Sequence, residues 1–257
     1  MIPKLIHYCW FGANPMGSLA QKCIDSWIKY LPDYELRLWN EDNFNLDCCV
    51  YVQQAYQAKK YAFVSDYVRL FVLKEYGGIY MDTDVEVLKS LDPFLKHKAF
   101  SGFEDGVCIP TGIIGASKGH PWIDLLFNEY RDLEFIKDDG TYNLVTNVTR
   151  ITKATMEYSP FRQDNTYQEL RDGLVIYPKQ VFCPKDPQTD KIKLTPETHT
   201  IHHFNGSWAT PEQRVESMLI KTLTHTFGDK LGWKLFGAYK SIKQRRFWQT
   251  MKKNFKG

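Results

Sequence analysis

Long apolar runs are missing from this 257-residue chain: no stretch approaches the ~20 uncharged apolar residues that a membrane-spanning helix needs. Nor does a basic and then apolar leader open it, so the expectation is a chain that is neither exported nor membrane-spanning. Cysteine is sparse and unpatterned. The six (Cys9, Cys23, Cys48, Cys49, Cys108 and Cys183) show no C-x-x-C spacing, and a soluble cytoplasmic protein would keep them reduced. In that compartment the sequons at Asn147 and Asn205 are chance matches. Two phosphate-binding signatures are also missing, the G-x-x-x-x-G-K-[ST] loop and the G-x-G-x-x-G turn. Any phosphate bound here must be held by a metal and a few scattered donors. No internal repeat or low-complexity linker divides the chain.

With 43% hydrophobic and 15% aromatic residues, the chain can bury one substantial core. One catalytic domain over 1–229 and a tail over 230–257 are expected. The net charge of +3 conceals an asymmetry, because 230–257 contains nine Lys/Arg and no acid, leaving −6 for the remainder. Trp233, Phe236, Tyr239, Phe247, Trp248 and Phe255 interleave with those cations. Leu235, Tyr239 and Ile242, then Trp248, Met251 and Phe255, recur at helical spacing. That pattern describes a basic amphipathic helix, suited to an anionic membrane surface or to packing on the domain. Nucleic acid is not the expected partner, since no recognised nucleic-acid module accompanies the charge.

The densest chemistry lies between residues 61 and 88. Residues 50–76 read as a helix, apolar nearly all round, with Ala62, Asp66, Arg69 and Leu73 on one face. Charges in such surroundings are too costly to keep unpaired, so Asp66 and Arg69 are expected to face a polar cavity. Gly77-Gly78 ends the helix where a left-handed cap is wanted. Residues 79–87 then read as a strand, with Tyr80, Asp82 and Asp84 on one face. Two acids looking into the same space make a hard-oxygen site suited to Mg²⁺ or Mn²⁺. The strands expected at 4–10, 34–39 and 79–87, alternating with helices at 20–30 and 50–76, indicate an α/β fold with a mostly parallel, doubly wound sheet.

Ser65-Asp66-Tyr67-Val68-Arg69 followed by Tyr76-Gly77-Gly78-Ile79-Tyr80-Met81-Asp82-Thr83-Asp84 resembles the signature of glycosyltransferase family 32, the capsular-polysaccharide type of sugar transferase with a DXD motif. It is similar, more distantly, to the glucosylating domains of large clostridial toxins. Ile6-His7-Tyr8-Cys9-Trp10-Phe11-Gly12 and His202-His203-Phe204-Asn205-Gly206-Ser207-Trp208 extend the resemblance over residues 1 to about 210. It implies a GT-A fold, a single Rossmann-like domain, and metal-dependent, anomer-retaining transfer from a UDP-sugar or GDP-mannose. The acceptor would be a saccharide or lipid-linked saccharide in bacterial capsule or surface polysaccharide synthesis. The expected location is the cytoplasm, peripheral to the inner membrane face.

Site roles follow from residues and resemblance together. Asp84 and His203 are expected to hold the metal, with Asp82 bridging it to the donor. Asp66 and Arg69 orient the sugar. Trp10 stacks on the base, with Phe11 and Gly12 beside it. Ser65, Gly78, Tyr80, Ser207 and Trp208 complete the donor side, the last two as donors to diphosphate oxygens. His7 stands with them, although a histidine inside a strand is more often part of the core. His202 would point away from the site by strand alternation. Glu104, Asp105 and residues 111–116 are acceptor-side candidates. Two rival readings remain. One is a haloacid-dehalogenase-type phosphatase, disfavoured because Glu86 stands where Asp-x-Asp-x-Thr/Val is required. The other is a non-catalytic sugar-binding protein of the same fold.

Overall fold

Strand and helix alternate through most of the chain. The computed structural model describes residues 1–109, 112–206 and 211–254, with the backbone alone for 211 and 244–254. In chain order the elements are β1 (Leu5–Cys9), α1 (Ser18–Tyr30), β2 (Glu35–Trp39), α2 (Val50–Gln57), α3 (Tyr61–Tyr76), β3 (Gly78–Met81), β4 (Val85–Val87), β5 (Ala99–Gly102), β6 (Ile113–Ala116), α4 (Pro121–Asn128), α5 (Asn147–Tyr158), β7 (Gln168–Glu169), β8 (Leu174–Tyr177), α6 (Lys179–Phe182), β9 (Thr200–His202), α7 (Pro211–Phe227) and α8 (Asp229–Asn254). Seven strands form one sheet in the order β2-β1-β3-β6-β5-β8-β7, and β4 pairs with β9 apart from it. Five of the seven run in one direction, while β6 and β7 oppose their neighbours. The mostly parallel α/β sheet expected from the sequence is present.

Helices cover both faces of that sheet. On one face Phe63, Val64, Val68 and Leu70 of α3 pack with Val52 of α2 and Trp122 of α4. On the other, Ala20, Cys23, Ile24 and Trp27 recur at helical spacing along α1, and Cys23, Ile24 and Trp27 pack with Ile79, Phe94 and Phe182. Each fully buried side chain of this size stabilises by about 1.5–3 kcal/mol. Trp27 adds a directional contact, its indole N–H donating to the Val85 carbonyl at 2.7 Å. That bond ties α1 to the segment just after the paired acids.

Two expected elements divide. The helix expected over 50–76 is two helices, α2 and α3, broken at Lys59, which adopts φ +56°. The break closes on itself, the Lys59 and Lys60 N–H groups donating to the carbonyls of Tyr56 and Ala55 at 2.9 and 2.8 Å. The strand expected over 79–87 is β3 and β4 with a turn between them. The Gly77-Gly78 expectation holds: Gly77 has φ +68° and Gly78 φ +108°. A Cβ on Gly78 would sit 2.5 Å from the Leu5 carbonyl oxygen, so that glycine lets β3 lie against β1.

The chain forms two compact units, 1–185 with 193–208, and 186–192 with 209–257. A division at 229/230 was expected. The boundary lies earlier because α7 packs with α8.

His7, a donor-side candidate, is a core residue. Its ring is fully buried in β1, accepting at Nδ1 from the Trp39 indole at 3.0 Å and donating at Nε2 to the Gly77 carbonyl at 2.9 Å. Burial, opposed by the Gly77 hydrogen bond, lowers its pKa from 6.5 to about 4. The unfolded chain therefore takes up this proton first as pH falls, and His7's contribution to stability is complete above 6.5 and is lost between 6.5 and 4. The difference of about 2.5 pH units amounts to ~3 kcal/mol. Urea unfolding at pH 7 and pH 4.5 should show wild type losing up to that much more stability than His7→Gln. Equal losses would place the His7 pKa in the ordinary range.

Candidate active site

The two acids reach the site on a turn. The Val85 N–H donates to the Asp82 carbonyl at 3.0 Å, closing Asp82-Thr83-Asp84, while the Asp82 N–H donates to the Gly112 carbonyl at 2.9 Å. Side-chain ligand atoms of Asp82, Asp84 and His202 all lie within 4.8 Å of one another. His202 Nε2 is 3.3 Å from Asp84 Oδ1, and Asp84 Oδ2 accepts the Asn205 N–H at 2.7 Å. Burial works against the Asp84 carboxylate, but His202 and the Asn205 N–H outweigh it and lower its pKa to about 2. Burial likewise opposes a charged His202, yet Asp84 holds its pKa well above 6.5. The Asp84 carboxylate therefore favours a proton on the His202 ring. Two carboxylates and one imidazole fit a divalent cation, which would replace the His202 proton on binding.

The expectation of His203 as ligand is corrected: His202 joins the acids. β9 pairs antiparallel with β4, with Ile201 opposite Glu86, so His203 falls on the Glu86 side of the ribbon. Its Nε2 lies 2.8 Å from Glu86 Oε2, and Glu86 is held in addition by Lys22 at 2.8 Å. Alternation misplaces the pair because Asp84 belongs to the turn and does not continue the alternation of β4.

Beside this cluster lies a buried ionic network. Arg69 Nη2 is 2.9 Å from Asp66 Oδ1 and 3.2 Å from Asp82 Oδ1, and the guanidinium lies 4.6 Å from the Tyr80 ring centre. The Tyr80 hydroxyl donates to Asp82 Oδ1 at 3.0 Å. Asn147, at the start of α5, donates to Asp66 Oδ1 at 3.0 Å. Burial raises the Asp66 pKa to about 6 despite Arg69. For this acid the folded value exceeds the unfolded one, so its destabilising effect grows as pH rises from about 4 to 6, opposite in sense to His7. Removing one partner of such a pair costs about 3–5 kcal/mol, because the other charge stays buried.

Other expected site residues divide between site and scaffold. Trp10 is half-buried beyond the end of β1, its indole N–H donating to the Asn14 carbonyl at 2.6 Å. Phe11 is core, edge-on to Phe44. Gly12 has φ +99°, its N–H donates to Glu41 Oε1 at 2.6 Å, and a Cβ there would strike the Tyr61 ring. Packing therefore requires that glycine. The Ser65 hydroxyl donates back along α3 to the Tyr61 carbonyl at 3.1 Å. Gly78 is steric, and the buried Tyr80 positions Asp82 and Arg69. Asp105 closes its own loop by accepting the N–H groups of Val107 and Cys108 at 2.9 and 2.7 Å. Glu104 lies nearer the acids: burial raises its pKa, with His202 opposing and Asp105, Asp82 and Asp84 adding to the rise. Thr111, Ser207 and Trp208 lie outside the described residues. Sequence reasoning missed Asn147, whose only signal was a sequon, and placed His202 on the wrong side.

Residues 17–101 match the family model for the glycosyltransferase sugar-binding region containing DXD motif. The match includes Asp66, Arg69, Asp82 and Asp84, in agreement with the resemblance read from the sequence. Inositol phosphoceramide mannosyltransferase 3 of Schizosaccharomyces pombe is 34% identical over 127 residues, covering 48% of this chain and 35% of that protein. The chain thus spans about a third of the length of this relative. The glycosyltransferase L373 of Acanthamoeba polyphaga mimivirus is 25% identical over 228 residues, covering 81% and 84%. Among solved structures, the PaToxG glycosyltransferase aligns with a TM-score of 0.46 at 21% identity, covering 61% of this chain and 70% of that one.

The histidine assignment has a direct check. Calorimetric titration with Mn²⁺ should show His202→Ala weakening binding at least tenfold more than His203→Ala. The reverse order would restore His203 as the ligand and overturn the register at β9.

Proposed function

We propose that the protein is a GT-A-type glycosyltransferase that moves a hexosyl group from a nucleoside diphosphate sugar to a hydroxyl of a saccharide or lipid-linked saccharide. The observation that carries this reading is the Asp82, Asp84 and His202 cluster sharing one carboxylate, Asp82, with the buried Arg69. A divalent cation, Mn²⁺ or Mg²⁺, would supply charge neutralisation for the departing diphosphate. The remaining work belongs to the chain's own groups. Arg69 fixes the Asp66 and Asp82 carboxylates, whose free lone pairs accept sugar hydroxyls and set the orientation of the donor. Trp10 offers an aromatic face to the base. Anomer-retaining transfer by same-face attack needs no protein nucleophile.

Several relatives are named mannosyltransferases, which makes GDP-mannose the first donor to try, followed by UDP-hexoses. A phosphatase is the weaker reading. Its attacking aspartate would have to be Asp82, yet Asp82 Oδ1 is engaged by both Arg69 and the Tyr80 hydroxyl.

Donor turnover with Mn²⁺, scored as nucleotide release with and without saccharide acceptors, tests the reading. Asp84→Ala should reduce turnover at least about 100-fold with the fold retained. Arg69→Lys should lower kcat while leaving nucleoside diphosphate affinity within a few fold, since lysine keeps the charge and loses the two-pronged geometry. Full activity in Asp84→Ala would end the proposal. Collapse of nucleotide affinity in Arg69→Lys would assign that residue to the nucleotide or to the fold.

A further inference from the structure

Within the second unit, α8 has two unlike faces. Gly232, Phe236, Tyr239, Lys240 and Lys243 recur at helical spacing on the side that meets α7. Gly232 is buried so close to Thr224 that a Cβ would lie 2.7 Å from its backbone. Lys240 pairs with Glu216 at 2.6 Å, and Lys243 pairs with Glu212 and Glu216. The acids of α7 therefore neutralise the cations on this face, and Tyr239, expected on the apolar face with Leu235 and Ile242, is half-buried on the other.

The outward face is different. Leu231, Leu235 and Ile242, four and then seven residues apart, are 46%, 38% and 54% exposed, and Phe227 at the helix junction is 52% exposed. Lys230 and Lys234 flank this stripe, and no acid among the described residues pairs with them. The one acid at the junction, Asp229, is already taken by Lys191 at 2.7 Å. A hollow of about 420 Å³ opens there, lined by Phe227, Gly228, Asp229, Lys230, Leu231 and Lys234. Exposed aliphatic and aromatic side chains beside uncompensated lysines match the two layers of a lipid interface, with acyl boundary below and phosphate above.

We propose that this outward face of α8, with Phe227, docks on an anionic lipid surface. Lysines supply the attraction and the apolar stripe supplies retention once the charges are screened. The contact uses no residue of the sugar-transfer site, so it stands or falls separately from the proposed activity.

Sedimentation of the full chain with vesicles of phosphatidylcholine alone, or mixed with phosphatidylglycerol, tests this at low and high salt. Wild type should bind only the mixed vesicles. Lys230→Gln with Lys234→Gln should weaken partitioning about 30-fold at low salt, the effect of two lysines at about 1 kcal/mol each. Leu231→Ser with Leu235→Ser should bind at low salt and dissociate at high salt. Circular dichroism of both variants should keep the wild-type helix signal, and turnover of a soluble donor should not change. Absence of wild-type binding to mixed vesicles overturns the proposal, as does equal binding to neutral vesicles. Unaltered binding by both variants places the contact elsewhere and overturns it too. Capture of RNA without capture of vesicles would assign the lysines to a different polyanion.

Discussion

Arg69 is the residue on which the site depends. Its guanidinium is almost fully buried, on a helix packed against the sheet, and a charge in that position is tolerated only with partners in place. Asp66 supplies one from the same helix and Asp82 supplies the other from the turn after β3. This one cation therefore fixes the distance between helix and turn. The Tyr80 ring beneath the guanidinium and the Tyr80 hydroxyl on Asp82 hold the same geometry from the strand side. Asp82 then hands the constraint on, since its side chain also belongs to the cluster with Asp84 and His202.

Placing the Arg69 ion pairs and a metal-suited cluster on a shared carboxylate has an electrostatic consequence. The acids are close enough to repel, and each lies beside a cationic partner. Arg69 serves Asp66 and Asp82, and His202 serves Asp84. Burial prevails at Asp66, whose pKa rises to about 6, and is outweighed at Asp84, whose pKa falls to about 2. A divalent ion held by Asp82, Asp84 and His202 would relieve that repulsion.

Much of this is legible in the amino-acid sequence alone. Asp66 and Arg69 in an apolar helix, the double glycine and the paired acids could be read from spacing, because buried charge, left-handed backbone and strand ends each leave a local mark. Three features left weaker marks. Lys59 breaks the long helix with neither glycine nor proline, so nothing in composition announces it. The strand through the acids is interrupted by a turn in which the Val85 N–H donates to the Asp82 carbonyl and the Asp82 N–H to the Gly112 carbonyl, and both partners are invisible to periodicity. His202 and His203 differ by one position in a strand of three residues, where the side facing the acids depends on pairing with β4. The basic helical tail is legible as charge and as the Leu235 and Ile242 stripe, but Tyr239 lies off that stripe and Glu212 and Glu216 of the preceding helix cancel part of the charge, while the side chains of Phe247, Trp248, Met251 and Phe255 lie outside the described residues.

The central claim is that Asp82 joins the Arg69 network to a cation site completed by Asp84 and His202. Anomalous diffraction from crystals soaked in Mn²⁺ tests it most directly. The account requires one strong peak bonded to Asp82, Asp84 and His202, with Arg69 still on Asp66 and Asp82. A peak at His203 and Glu86, or an Arg69 side chain displaced from Asp82, would contradict it.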